Sequence, residues 1–278
     1  MRGKIPIEVA QLFKPLEEKL ISLLESLTAD DWDKPTLAKL WTVKDITAHL
    51  LDGNLRALSI QRDKFFGETA PQSGGYGQLV DWLNQLNSDW VRAAKRISPE
   101  VLILLHKNTG PLTCEYFQSL DPWDEAIFAV AWAGESKSYN WMHLAREYTE
   151  KWHHQQQIRE ATGNPGIMTK QFFGPLINTY LLALPYTFGQ VKGETGTTVR
   201  VVVSGELGGR WLLTRTLETW VLNQEEVLEA DTEVEIQSDL AWKLFSKNIR
   251  YEDLSKGVKI SGNENLGKVV LEMVSVMA

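Results

Sequence analysis

Apolar residues recur every three or four positions through the first part of the chain, and only later do they alternate. From about Ile7 to Leu27 the stripe Leu12, Leu16, Leu20, Leu23, Leu24 and Leu27 predicts a helix, with Pro15 as a kink or restart point. Thr28-Ala29-Asp30-Asp31 breaks that pattern. A second helix opens at Thr42, with Asp45 as the acid of a capping box, and runs to about Phe66. Glycine and proline between Gly67 and Gly77 predict a loop. A third helix spans about Gln78 to Ile97, with Leu79, Trp82, Leu83, Leu86, Trp90 and Ala94 on one stripe. Ser98-Pro99-Glu100 reads as a further helix start, whereas Asn108 to Asp121 lacks a clean period. The last helix of this part runs from about Tyr139 to Ala161 and stops at Gly163-Asn164-Pro165.

The period then changes. Phe172 to Phe188 keeps helical spacing, but from Thr197 onward Val199, Val201 and Val203 alternate with Arg200 and Val202. Gly205 to Gly209 makes a turn, and Trp211 to Thr219 and Val234 to Ile236 read as further strands. Ser238 to Phe245 returns to helical spacing with Ser238 as its cap. Val258 to Ile260 is a short strand, and Asn263 to Val276 a final amphipathic helix. The expected fold class is two domains: an all-α helical bundle over 1–165 and a small α+β domain over 195–278, joined by a helical connection over 166–194.

Composition narrows the function classes. The 278 residues are 43% hydrophobic and 23% charged, enough for packed cores in one large or two ordinary domains. A net charge of −7 repels phosphate backbones, so no nucleic-acid partner is expected. Cys114 is the single cysteine, which excludes an internal disulfide and a cysteine-based zinc finger and fits a reducing, cytoplasmic location. Lys14, Pro15, Glu17, Glu18 and Lys19 interrupt any leader-like apolar run. No stretch approaches the roughly 20 apolar residues of a membrane span. The eleven tryptophans are assigned to cores and helix packing.

Four of the five histidines, His49, His143, His153 and His154, fall on two predicted helices. Glu150 and His154 are four apart, so both project from one helix face and can reach one ion. His143 and Glu147 fall near the same stripe, while Trp141, Leu144, Tyr148 and Trp152 form an opposite, apolar one. A carboxylate with two imidazoles suits zinc, nickel or iron(II) rather than calcium or magnesium. Three protein ligands leave a position open for water or substrate. Spacing alone equally describes a solvated Glu–His pair and a hydrogen-bonded core histidine at His49.

Longer motifs add a resemblance. Trp41-Thr42-Val43-Lys44-Asp45-Ile46-Thr47-Ala48-His49-Leu50 resembles the hallmark of the DinB-like superfamily: a Trp, a capping Thr, then a helix ending in Ala-His-Leu. The segment from Arg146 to Arg159, with Glu150 and His154 inside it, resembles the second signature of the mycothiol-dependent maleylpyruvate isomerase-like branch. The likeness covers roughly the first 165 residues and implies a four-helix bundle carrying a divalent metal, usually zinc, on His49, Glu150 and His154. Glu at 150 sets this branch apart from three-histidine thiol-transferase relatives. Gly208-Gly209-Arg210-Trp211, the Thr232 to Leu244 strand-to-helix turn and Gly262-Asn263-Glu264 resemble the sterol-carrier-like domain that follows the bundle in the same branch. Gln157 departs from the pattern, since many relatives have Asp there, and a contact behind the ligands should differ. The arginines thought to hold substrate carboxylates do not match by motif. Arg56, seven residues after His49 on the same face, is the catalytic candidate, with Arg210 and Arg215 as further ones.

The implied activity is that of a metal-dependent enzyme using a low-molecular-weight thiol, mycothiol or an analogue, as an isomerase or S-transferase on a small electrophile. Metal coordination would make the thiol a thiolate at neutral pH, and the thiolate would add to an electron-poor alkene or displace a leaving group. Cys114, with no cation beside it in sequence, is not that thiol. Two other readings compete: an apolar-ligand carrier, and a stress or regulatory protein with a non-catalytic metal site. Neither the thiol, nor the substrate, nor the oligomeric state has a signature in the sequence.

Overall fold

The structure, a computed structural model, describes residues 4–68, 75–129, 137–223, 229–254 and 256–275. The chain divides into two units, Met1–Ile167 and Met168–Ala278.

The first unit is helical. Its helices are α1 (Phe13–Ser26), α2 (Val43–Arg56), α3 (Gly75–Ala94), α4 (Pro99–Ser119) and α5 (Asn140–Thr162). A 3-10 turn over Ala10–Leu12 leads into α1, so the α-helix starts later than its apolar stripe. Pro15 sits in the first turn, where its missing N–H has no partner to lose. Thr42 caps α2 as its spacing predicts: its side chain accepts from the Asp45 amide at 3.3 Å, and its own amide donates to the Asp45 carboxylate at 3.2 Å. Beyond Arg56 the helix widens into a π-helical turn, Ala57–Arg62, and ends there rather than at Phe66. Lys64 at φ 59° marks the break. Of the loop expected between Gly67 and Gly77, residues 69–74 lie outside the described residues.

The irregular stretch expected from Asn108 to Asp121 is instead helix, because α4 runs through Gly110 and Pro111 to Ser119. Packing overrides local propensity there. Glu17 of α1 lies against Gly110, and a Cβ at that position would overlap the Glu17 carboxylate. Helices α1, α2, α4 and α5 pack on one another, with α3 against α2. Leu20, Leu24, Ile46, Leu51, Leu102 and Ile158 fill the shared core. Phe13, Phe117 and Tyr148 form an aromatic knot, with centroids 4.6 Å and 5.9 Å from Phe13.

The second unit begins with helices α6 (Lys170–Leu181) and α7 (Leu184–Thr187). It continues with β1 (Thr198–Ser204), β2 (Gly209–Arg215), β3 (Trp220–Asn223), β4 (Thr232–Gln237), α8 (Ser238–Phe245), β5 (Val258–Gly262) and α9 (Glu264–Leu271). The sheet order is β3-β2-β1-β4-β5, with β1 and β4 parallel and the other pairs antiparallel. The alternation seen in sequence buries Val199, Val201, Val203, Val234 and Ile236, and α8 and α9 pack on β1 and β4. Two expectations shift. The strand predicted over Trp211 to Thr219 breaks at a turn where the Thr216 hydroxyl bonds the Thr219 backbone, and the chain returns as β3. Ser238 is the first residue inside α8 rather than its cap, and its hydroxyl donates to the Ser204 carbonyl of β1. The last helix, capped by the Asn263 side chain, stops at Leu271; residues 276–278 lie outside the described residues. No helix among the described residues is long and apolar enough to cross a membrane.

Candidate metal centre

Capping fixes where α2 begins, and α2 carries His49 two turns in. Two side chains from other helices then grip the same turn. Trp90 of α3 donates its indole N–H to the Ala48 carbonyl at 2.7 Å, and His106 Nε2 of α4 bonds the Thr47 carbonyl at 3.0 Å. Helix α5 carries Glu150 and His154 on one face and ends in a left-handed Gly163 at φ 69°. Arg159 ties that end to α1 through the Lys19 carbonyl at 2.9 Å.

The structure brings His49, Glu150 and His154 together. One donor atom from each lies within 4.8 Å of the other two, and all three residues are half-buried. Among the described residues this is the one place where three His, Cys, Asp or Glu donors converge. The His49 and His154 rings meet at 4.6 Å between centroids, and the Trp41 ring lies 4.8 Å from His49 and 6.1 Å from His154. His154 Nε2 is 3.4 Å from a Glu150 carboxylate oxygen. Ligand bonds of about 2.1 Å place donors about 3.4 Å apart in a tetrahedral site, so this group needs small side-chain adjustments to meet on one ion.

Electrostatics keep the His49 imidazole available as a ligand. Burial, then the neighbouring His154, Arg56 and His153, hold His49 well below the ordinary histidine range. Burial, then His154, does the same to His153. A neutral imidazole keeps the lone pair that a cation needs. His49 Nδ1 is buried and without a hydrogen-bond partner, which is costly unless something else engages that ring.

Arg56, the catalytic candidate, lies two turns beyond His49 on α2. Its guanidinium bonds Asp52 at 3.4 Å and Asn87 at 3.3 Å and stays 40% exposed. Gly53 lies between His49 and Arg56, and a Cβ there would meet nothing within 4 Å. Arg210 and Arg215, the other arginine candidates, lie in the second unit. Arg210 is exposed, and Arg215 is half-buried with its Nε unpartnered. His143 and Glu147 do not join the three-residue group. Both turn to Gln61 of the π-helical segment, whose amide meets His143 at 2.8 Å and Glu147 at 3.1 Å. Cys114 is buried, and desolvation pushes its thiol up to about 11.

One cluster escaped the sequence reading. Lys151, next to Glu150 but turned inward, bonds Glu17 of α1 at 3.2 Å and Asn54 of α2 at 2.6 Å, and Asn54 bonds Thr109 of α4 at 3.3 Å. Four helices thus share one buried polar network. The signal was available: Glu17 sits four residues after Phe13 and three before Leu20, on the apolar stripe of α1.

Comparison with known proteins bears on the family and the fold. The family model for the mycothiol maleylpyruvate isomerase N-terminal domain matches residues 13–159, just over half of the chain. Two solved structures share the fold, the mycothiol-dependent maleylpyruvate isomerase and a mutant of it. Each has a TM-score of 0.55 and 11% identity, covering 91% of this chain and 91% of that one. No curated protein matches the sequence.

Proposed function

This chain belongs to the mycothiol maleylpyruvate isomerase N-terminal domain family, and on that premise we propose that it is a divalent-metal-dependent enzyme that works with a low-molecular-weight thiol. Its reaction class is isomerisation or S-transfer on a small electrophile. The observation that carries this reading is the meeting of His49, Glu150 and His154 from two helices, with His49 Nδ1 buried and unpartnered. Two imidazoles and a carboxylate suit zinc first, with nickel or iron(II) as alternatives. A divalent cation there supplies Lewis acidity that lowers the pKa of a coordinated thiol toward neutrality.

The chain's own residues do the rest. His49 and His154 offer lone pairs, Glu150 offsets positive charge, and the Trp41 ring packs beside the two imidazoles. Arg56, braced by Asp52 and Asn87 two turns beyond His49, offers its guanidinium to an anionic group of the substrate. Cys114 is too buried and too weakly acidic to serve as nucleophile, so the thiol is a separate molecule. A lone buried cysteine and a free thiol partner fit a reducing compartment such as the cytoplasm.

Elemental analysis of the purified protein tests the reading. One equivalent of zinc or a similar metal is expected, lost in His49→Ala and His154→Ala, and small thiols should perturb the visible spectrum of the cobalt-substituted protein. Arg56→Ala should raise KM more than it lowers kcat. A wild-type protein that is metal-free and refuses added metal overturns the proposal. Metal binding without turnover of any thiol–electrophile pair would leave a non-catalytic metal site.

A further inference from the structure

Gln157 lies one turn beyond His153 on α5 and is buried at 2% exposure. Its amide touches two imidazoles. The Gln157 Oε1 is 2.8 Å from His154 Nδ1, and its Nε2 is 2.9 Å from His153 Nε2. An amide oxygen can only accept, so His154 Nδ1 must carry the ring proton. The lone pair then sits on His154 Nε2, the atom that faces the Glu150 carboxylate at 3.4 Å. By the same logic His153 Nε2 accepts from the amide and bears a lone pair. Reversing the amide would reverse both choices and aim an N–H at the point where His49, Glu150 and His154 converge.

We infer that Gln157 is a positioning residue for the proposed metal centre: its buried amide locks His154 into the Nδ1–H tautomer and so presents Nε2 as the ligand atom. This rests on the metal reading above and adds a residue to it. The partner behind a ligating histidine commonly fixes its tautomer and ring angle. A neutral amide does this without adding charge, so Glu150 remains the anionic member of the group.

The test has one arm without metal and one with it. In metal-free protein at pH 8, the ¹⁵N shifts of the His154 ring report which nitrogen is protonated. Wild type is expected as the Nδ1–H form, and Gln157→Leu as a mixture rich in the Nε2–H form. In a competition titration with a zinc chelator, Gln157→Leu should bind zinc about 10- to 100-fold more weakly. Gln157→Glu, which keeps an acceptor at His154 Nδ1, should retain wild-type affinity or exceed it. Thermal melts confirm that each variant is folded. Wild-type affinity and tautomer in Gln157→Leu overturn the inference, and so does a Gln157→Glu protein as weak as Gln157→Leu. A wild-type protein that takes no zinc defeats the metal reading instead, and the tautomer arm still reads out separately.

Discussion

Glu17 should make the helical unit acid-sensitive in a defined window. Burial alone would raise its carboxyl pKa, but the Lys151 ammonium at 3.2 Å, together with the nearby His106, outweighs it and brings the value from 4.5 to about 2. The folded state therefore binds this proton less readily than the unfolded chain. Its stabilisation is fully present above the ordinary value of 4.5 and is lost as pH falls toward about 2. That gap, at about 1.4 kcal/mol per pH unit, amounts to about 3 kcal/mol. With Glu17 only 4% exposed, solvent screening reduces it little. The assay is amide hydrogen exchange of Tyr148 and Trp152, both in α5, followed from pH 6 to pH 3 and corrected for intrinsic rates. Glu17→Gln alone strands the Lys151 charge and should cost about 3–5 kcal/mol, enough to threaten folding. The informative control is Glu17→Gln with Lys151→Met, which removes both partners. Wild-type protection should fall steeply across the window, and that of the double variant should fall more gently, through other lowered carboxylates such as Asp31. Parallel slopes in the two proteins would refute the assignment.

Two glycines in helices should respond to alanine with opposite signs. Gly53→Ala, exposed and with open space around a new Cβ, should stabilise by up to about 1 kcal/mol, while Gly110→Ala should destabilise by about 1–3 kcal/mol because the methyl displaces the Glu17 carboxylate. Urea midpoints decide, and shifts of the same sign would count against this packing. Thr42→Ala removes the cap of α2 and should cost about 1 kcal/mol in the same measurement; no loss would mean the capping box is not contributing. Cys114, buried with its thiol pushed up to about 11, should resist alkylation by iodoacetamide at pH 8 until the protein unfolds. Labelling of the folded protein as fast as a free thiol would sink that expectation.

Much of the architecture was legible from short-range signals. Thr42 with Asp45, Ser98 before Pro99, Gly163 at the end of α5 and Asn263 before α9 each act within a few residues, and each marks the boundary its chemistry predicts. The valines of β1 alternate in sequence as they do in burial, because a strand's side chains alternate by geometry. Glu150 and His154 share a face for the same kind of reason, since four residues make about one helical turn.

Tertiary structure decided the rest. His49 lies far from Glu150 along the chain, and the two meet only because α2 and α5 run antiparallel, with His49 against His154 and Gln61 against His143. Nothing local tells α4 to continue through Gly110 and Pro111. There Gly110 leaves room for Glu17, which arrives from another helix. Nor does the sequence separate Lys151, turned into the core toward Glu17 and Asn54, from its half-exposed neighbour Glu150. Local propensities are worth about 1 kcal/mol or less per residue, and about 3 for a proline inside a helix, whereas burying or stranding a charge is worth several, so long-range packing can outweigh them.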